Sequence, residues 1–291
     1  MMHTLRQWIS RAIALGVIGP IASQVAGRLM ANDGSGDHTL LTGTSMGNGL
    51  TALLIVGVLC LLSGVIGGVL GGRREGLLGM GFVLGWVAWT SGRVGNIYRL
   101  TPETSTSASL AIETLVLMLF VLVAAMLISR KDEHDPISSF SVSRLRDSMT
   151  NPAMLGAMGV SLVVAGVMSW LFGVQDLPGQ SIGVGFLAGI MAGVFGAMTA
   201  ASMQGKADHR GTPYAPVMLG VMLAGVLMPL VGIVKPGLAS LELLQLKGEL
   251  PGFLALSPAA WVAGALLGVP VGHSWMEHSQ TQTQEQPVTS R

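Results

Sequence analysis

Few residues of this chain combine a reactive side chain with a suggestive spacing. Gly43-Thr44-Ser45-Met46-Gly47 fits the G-x-S-x-G nucleophile elbow, which lifts a serine on a strained strand-to-helix turn above an α/β sheet. Here the pattern lies between apolar runs that leave no room for a sheet, so a polar loop leading into a helix is the simpler expectation. His273, Glu277 and His278 could converge if the last helix continues past the membrane. Their spacing is not H-E-x-x-H, and a surface role is favoured. Lys131-Asp132-Glu133-His134-Asp135 reads as a solvated charge run. Met154/Met158 and Met218/Met222 are i, i+4 pairs of soft thioethers, better read as adaptable core filler than as a copper site. No metal and no cofactor is expected.

Gly34-Ser35-Gly36-Asp37 is similar to the G-x-G-D motif of intramembrane aspartyl proteases. That chemistry needs a second acid sharing the site, and no aspartate lies inside any apolar run, so the similarity is read as coincidence. Glu113 is different, because it is the one acid placed clearly within an apolar run. An intramembrane carboxylate is expensive and usually marks a pathway or relay. Its shallow depth, about 6 Å past Ser109 along a helix, favours an interfacial anchor instead. Arg28, Arg93 and Arg99 fall on the same side and are candidate ion-pair partners. Glu113, Arg93 and Arg28 are therefore the candidate substrate or proton pathway, and no catalytic residue is assigned.

The elements that must position these residues follow from composition. Of 291 residues, 50% are hydrophobic and 11% charged, with 41 glycines. A soluble domain is about 25% charged, so this chain lacks the polar coat needed to face water. The formal net charge of +1 offers no footprint for nucleic acid, and the lone Cys60 excludes an internal disulfide framework. A membrane helix needs roughly 20 apolar residues. Eight segments approach that length: Ala12–Met30, Gly49–Gly71, Gly76–Gly95, Ser109–Ser129, Pro152–Gly173, Ser181–Met203, Pro213–Val234 and Pro251–Gly272. The fold class is thus an all-α polytopic bundle of about eight transmembrane helices in a cell membrane. Alternating the loops puts eleven of the sixteen Lys and Arg on one side, which the positive-inside rule makes cytoplasmic, along with both termini. A rival reading treats the basic Met1–Arg11 and the apolar run after it as a cleaved signal peptide, leaving seven spans.

Leu62–Gly71 (LSGVIGGVLG) and Leu187–Gly196 (LAGIMAGVFG) match closely and occupy the second and sixth spans. Leu15-Gly16-x-x-Gly19 and Leu155-Gly156-x-x-Gly159 match in the first and fifth. These pairs favour a four-plus-four repeat, with both halves pointing the same way, over chance likeness between glycine-rich runs. The division is residues 1–129, a charged cytoplasmic linker 130–150, residues 151–272, and a disordered cytoplasmic tail 273–291. Gly185/Gly189/Gly193, Gly264/Gly268/Gly272 and Gly64/Gly68 form flat stripes that let a second backbone approach. Packing within the chain is favoured, with a homodimer or another membrane protein as the alternative partner beside the lipid bilayer. The fourth span lacks glycine over Leu115–Ile128 and should face lipid. The leading functional reading is a permease for a small, uncharged or weakly polar solute, its helices interrupted by Pro20, Pro229 and Pro258. The rival is a non-catalytic membrane subunit or scaffold, with a membrane enzyme third.

Overall fold

The computed structural model describes residues 2–31, 33–91, 93–101, 104–128, 146, 149–173, 179–204, 214–234 and 238–284. All regular structure among them is helical. The chain begins with α1 (Met2–Ile13), a π turn (Ala14–Ile18) and α2 (Gly19–Ala26), which together make one bent rod. After a loop come α3 (Met46–Gly71), α4 (Arg73–Thr90), the short α5 (Val94–Leu100) and α6 (Thr104–Ile128). The second run comprises α7 (Pro152–Phe172), α8 (Gln180–Gln204), α9 (Tyr214–Val234), the short α10 (Leu238–Leu246) and α11 (Pro258–Gln284). Each run of four long helices thus carries a short helix between its third and fourth members. The two short helices pack on each other over a small apolar cluster containing Val94, Ile97, Tyr98 and Leu241.

Local chemistry sets the helix ends. Ser45 caps α3 by accepting the Asn48 N–H, and Asn151 caps α7 by accepting the Ala153 N–H at 2.9 Å, with Pro152 next. The reversal between α3 and α4 takes one residue, Gly72, at φ +90°, a conformation that side-chain-bearing residues rarely adopt.

Prolines inside the rods free carbonyls, and neighbouring helices supply donors to two of them. In the π turn the Gly19 N–H reaches Ala14 O, so Leu15 O would look to residue 20, a proline with no N–H. Trp86 Nε1 of α4 donates to Leu15 O instead, at 3.0 Å. Pro229 likewise leaves Gly225 O without its helical donor, and Thr114 Oγ1 of α6 stands 3.2 Å away.

Among the described residues six helices are long and apolar enough to cross a membrane: His3–Ala26, Met46–Gly71, Thr104–Ile128, Pro152–Phe172, Gln180–Gln204 and Tyr214–Val234. Sequence analysis counts eight. The helices in the third and eighth places, α4 and α11, exist but fall short of that description. Three of the 18 residues of α4 are charged, and α11 carries Pro258, Pro270, Trp and His among its apolar residues. Both sit deep in the bundle. From Ala259 to Ala265 every α11 residue is buried, and α11 packs against α8, α4, α9 and α6. An interior helix shows little surface to lipid, so its composition escapes the demand for high hydropathy.

Three further expectations meet a different arrangement. The first span begins at His3 rather than Ala12, because α1, α2 and the π turn join into one rod. The fourth span both faces lipid and packs inward: Ile112, Leu115, Leu119 and Val123 are exposed, whereas Leu110, Glu113, Leu117 and Val121 are buried. The last helix continues through Gln284, across most of the segment read as a disordered tail. The charged linker falls almost wholly outside the described residues, as do Lys131–Asp135 and the Lys206–Arg210 loop.

Candidate functional site

Glu113 lies on the inward face of α6 and is 1% exposed. Its neighbours come from the outer loop between α2 and α3. Thr39 Oγ1 donates to Glu113 Oε2 at 2.6 Å, and the Leu41 N–H donates to the same oxygen at 2.9 Å. The other oxygen, Oε1, is buried with no hydrogen-bond partner among the described residues. Neither Arg28 nor Arg93 pairs with it, since both side chains are exposed. The ion pair considered from sequence is therefore replaced by neutral donors of the loop, Thr39 Oγ1 and the Leu41 N–H on Oε2, with the Leu40 N–H also acting on the carboxyl. Nor is the side chain an interfacial anchor, because the loop closes over it.

The loop is shaped to reach this position. Gly34, at φ +79°, allows the turn in which the Ala31 N–H meets Ser35 O. Thr39 N–H donates to Thr42 Oγ1 at 2.8 Å, which bends the chain and aims the Thr39 hydroxyl at α6. Two residues earlier, Asp37 Oδ1 accepts the Arg93 N–H at 2.9 Å and Oδ2 accepts Asn96 Nδ2 at 2.6 Å. The Gly-Ser-Gly-Asp stretch is thus a turn whose aspartate ties the loop to α5, and Arg93 enters through its backbone. His38, between the two ties, is buried with Nδ1 unpartnered. Burial pushes its imidazole below the ordinary histidine range. The folded loop therefore favours neutral His38, and that contribution is lost as pH falls from the ordinary value through the lowered one.

A second polar site lies at the opposite end of the first four helices. Glu75, 2% exposed at the start of α4, receives Arg11 Nε at 2.8 Å on Oε2 and Nη2 at 2.5 Å on Oε1. This bidentate pair joins α1 to α4. Sequence reasoning does not single it out, although Glu75 directly follows Arg73 and Arg74 in a short basic turn. The pairing needed the rod of α1 to extend nine residues earlier than the apolar run suggests.

The remaining sequence candidates are placed as follows. Ser45 is a helix cap and His38 is held by its own loop, so no nucleophile–base pair forms. His273 is buried with its ring centroid 4.5 Å from that of Tyr214; the side chains of Glu277 and His278 lie outside the described residues. Met154, Met218 and Met222 are core residues. Added side chains at Gly185, Gly189 and Gly193 would strike Ala260 O, Gly264 O and Val269 O, and those at Gly268 and Gly272 would strike Phe186 O and Ile190 O. These stripes face each other across α8 and α11 within the chain. Gly64 and Gly68 instead receive side chains, Met80 and Ile128. In comparisons with protein-family models, curated proteins and solved structures, nothing matches the chain, so its site is read from geometry and chemistry alone.

Proposed function

We infer that this multi-pass membrane protein is a proton-coupled permease for a small solute, with Glu113 as the residue that carries the proton. One observation carries the reading: a fully buried carboxyl group inside an apolar helix, with one oxygen unpartnered and no cation against it among the described residues. Such a group is costly in lipid and is retained where it serves a pathway or relay. The site is closed over by the loop, which makes a proton the natural occupant of Oε1.

In this reading α4 and α11 cross the membrane as interior helices, giving eight spans. Exposed Trp8 and Trp275 near one end of the bundle and Trp89 and Trp170 near the other mark two interfacial belts. The equivalent placement of α5 and α10, each between a third and a fourth long helix, supports two like halves related by an axis along the membrane normal. The loop charge bias supports both termini in the cytoplasm.

The test is flux in proteoliposomes loaded with a pH-sensitive dye and exposed to a panel of small alcohols, sugars, amides and amines. Wild type should move protons when one solute is added, and Glu113→Gln should abolish the signal while retaining the wild-type melting temperature. Silence toward the whole panel, with a stoichiometric membrane partner co-purifying, would replace this reading by a non-catalytic subunit. Full flux in Glu113→Gln would remove Glu113 from the pathway.

A further inference from the structure

We propose that the outer segment 33–45 is a proton-controlled gate over Glu113, shut while the acid is neutral and released when it loses its proton. This rests on the permease reading and adds to it the part that moves and the event that moves it.

The segment is a lid rather than a fringe, since His38, Thr39 and Leu40 are all buried. Its ties differ in kind. Asp37 joins it to α5, next to exposed Arg93, where water reaches the contact. Thr39 and Leu41 join it to Glu113, shut away from water. Both donors converge on Oε2, as they would on the carbonyl oxygen of a neutral acid whose proton sits on Oε1.

Charge decides which protonation state the shut lid tolerates. The helices packed on α6 are α3, α4, α9 and α11. α3 and α9 contain no charged residue. Those of α4 sit in its first turn, at the α3–α4 reversal and hence at the far end of α3 from the loop. The titratable residues of α11 begin at His273, far along the helix from its start beside the short-helix cluster. On the Glu113 side the described residues place Asp33, Asp37 and His38 of the loop itself, with exposed Arg28, Arg93 and Arg99 at its margins and exposed Glu242, Lys247 and Glu249 about α10; none of these side chains hydrogen-bonds or ion-pairs with the Glu113 carboxyl. Among the described residues no cation pairs with Glu113 beneath the lid, so burying its ionised form carries a desolvation cost that the neutral acid avoids. Lifting the lid hydrates the carboxylate and passes its proton to bulk water; shutting it requires taking one back. Proton binding and closure favour each other by linkage.

His38 works in the opposite sense, because charging it would expel the loop, so the comparison is made in proteins that all carry His38→Gln and are otherwise wild type or substituted at Glu113, from about pH 5, just above the ordinary glutamate range, to about pH 9. Hydrogen exchange of residues 33–45 is followed in the full-length protein in nanodiscs, corrected for the intrinsic pH dependence. In wild type, protection should fall as pH rises, by up to about tenfold per pH unit, the limit for one linked proton. Glu113→Gln, a neutral isostere, should hold the segment protected at every pH. Glu113→Ala should expose it at every pH, since both ties are lost. Wild-type protection that ignores pH, or a Gln variant less protected than wild type throughout, overturns the gate. If flux is lost in Glu113→Gln while wild-type protection ignores pH, the gate fails and the coupling role stands. If protection responds as expected while Glu113→Gln keeps its flux, the gate stands and the coupling role fails.

Discussion

Leu62–Gly71 in α3 and Leu187–Gly196 in α8 share five of ten residues, yet two of their matched glycines meet different things. Gly189 and Gly193 of α8 face the backbone of α11, at Gly264 O and Val269 O. The corresponding Gly64 and Gly68 of α3 receive the side chains of Met80 and Ile128. The reason lies in the partner. α11 offers its own glycines at Gly264, Gly268 and Gly272, so two backbones meet; α6 has no glycine, and Ile128 fills the same kind of notch. A glycine stripe thus fixes how close a neighbour can come, while the neighbour decides whether backbone or side chain takes the space. The second half is joined by backbone contact along α8 and α11. The first half has a backbone contact of its own, where Gly67 faces Glu75 O and Gly76 faces Gly64 O across α3 and α4, and it adds side-chain ties: Arg11–Glu75, Ser23–Thr90, Trp86 on Leu15 O, and Glu113 on the loop between α2 and α3.

The largest effect should fall on the backbone seam. Gly189→Ala drives a methyl into Gly264 O, and neither backbone can yield alone, so a loss of about 3 kcal/mol or more is expected from overpacking. Gly64→Ala meets side chains, Met80 Cγ and Sδ at 2.9 Å and Ile128 Cδ1 at 3.4 Å, and should cost less, about 1 kcal/mol, because methionine repacks readily. Melting temperatures in detergent give the comparison directly. Equal drops for the two variants would erase the distinction between the seams.

Next in size is the side-chain joint at the opposite end from the outer loop. Glu75→Gln leaves Arg11 facing a neutral group; with Glu75 at 2% and Arg11 at 34% exposure, a cost of about 2 kcal/mol is expected, below that of a fully buried pair. The double variant Arg11→Leu/Glu75→Leu should recover most of it. A double variant as unstable as the single one would mean that the joint acts through shape rather than charge.

The smallest effect concerns the carbonyl freed by Pro229. Thr114→Val removes the nearby hydroxyl, which also lies 2.9 Å from Leu110 O, and should cost about 1 kcal/mol. In a Pro229→Ala background the backbone N–H returns and the Thr114→Val cost should shrink toward zero. An undiminished cost there would assign Thr114 to packing alone.

Composition and run length determined the helical membrane class, and glycine spacing located the close-packed faces, because both are properties of short contiguous segments. Glu113 was legible for the same reason: one acid inside an apolar run stands out without a structure. Its partners were not legible. Thr39 and Leu41 lie more than seventy residues away in a loop whose polar residues look like any solvated turn, and the better-charged Arg28 and Arg93 point elsewhere. Run length picks out α4 and α11, yet both fall short in apolar character, since hydropathy reports contact with lipid and these two helices touch mostly protein. Only the tertiary packing decided which glycines meet backbone, which carbonyls freed by proline gain a donor, and that Glu75 answers Arg11, because each depends on the side chain standing opposite rather than on the residues beside it in sequence.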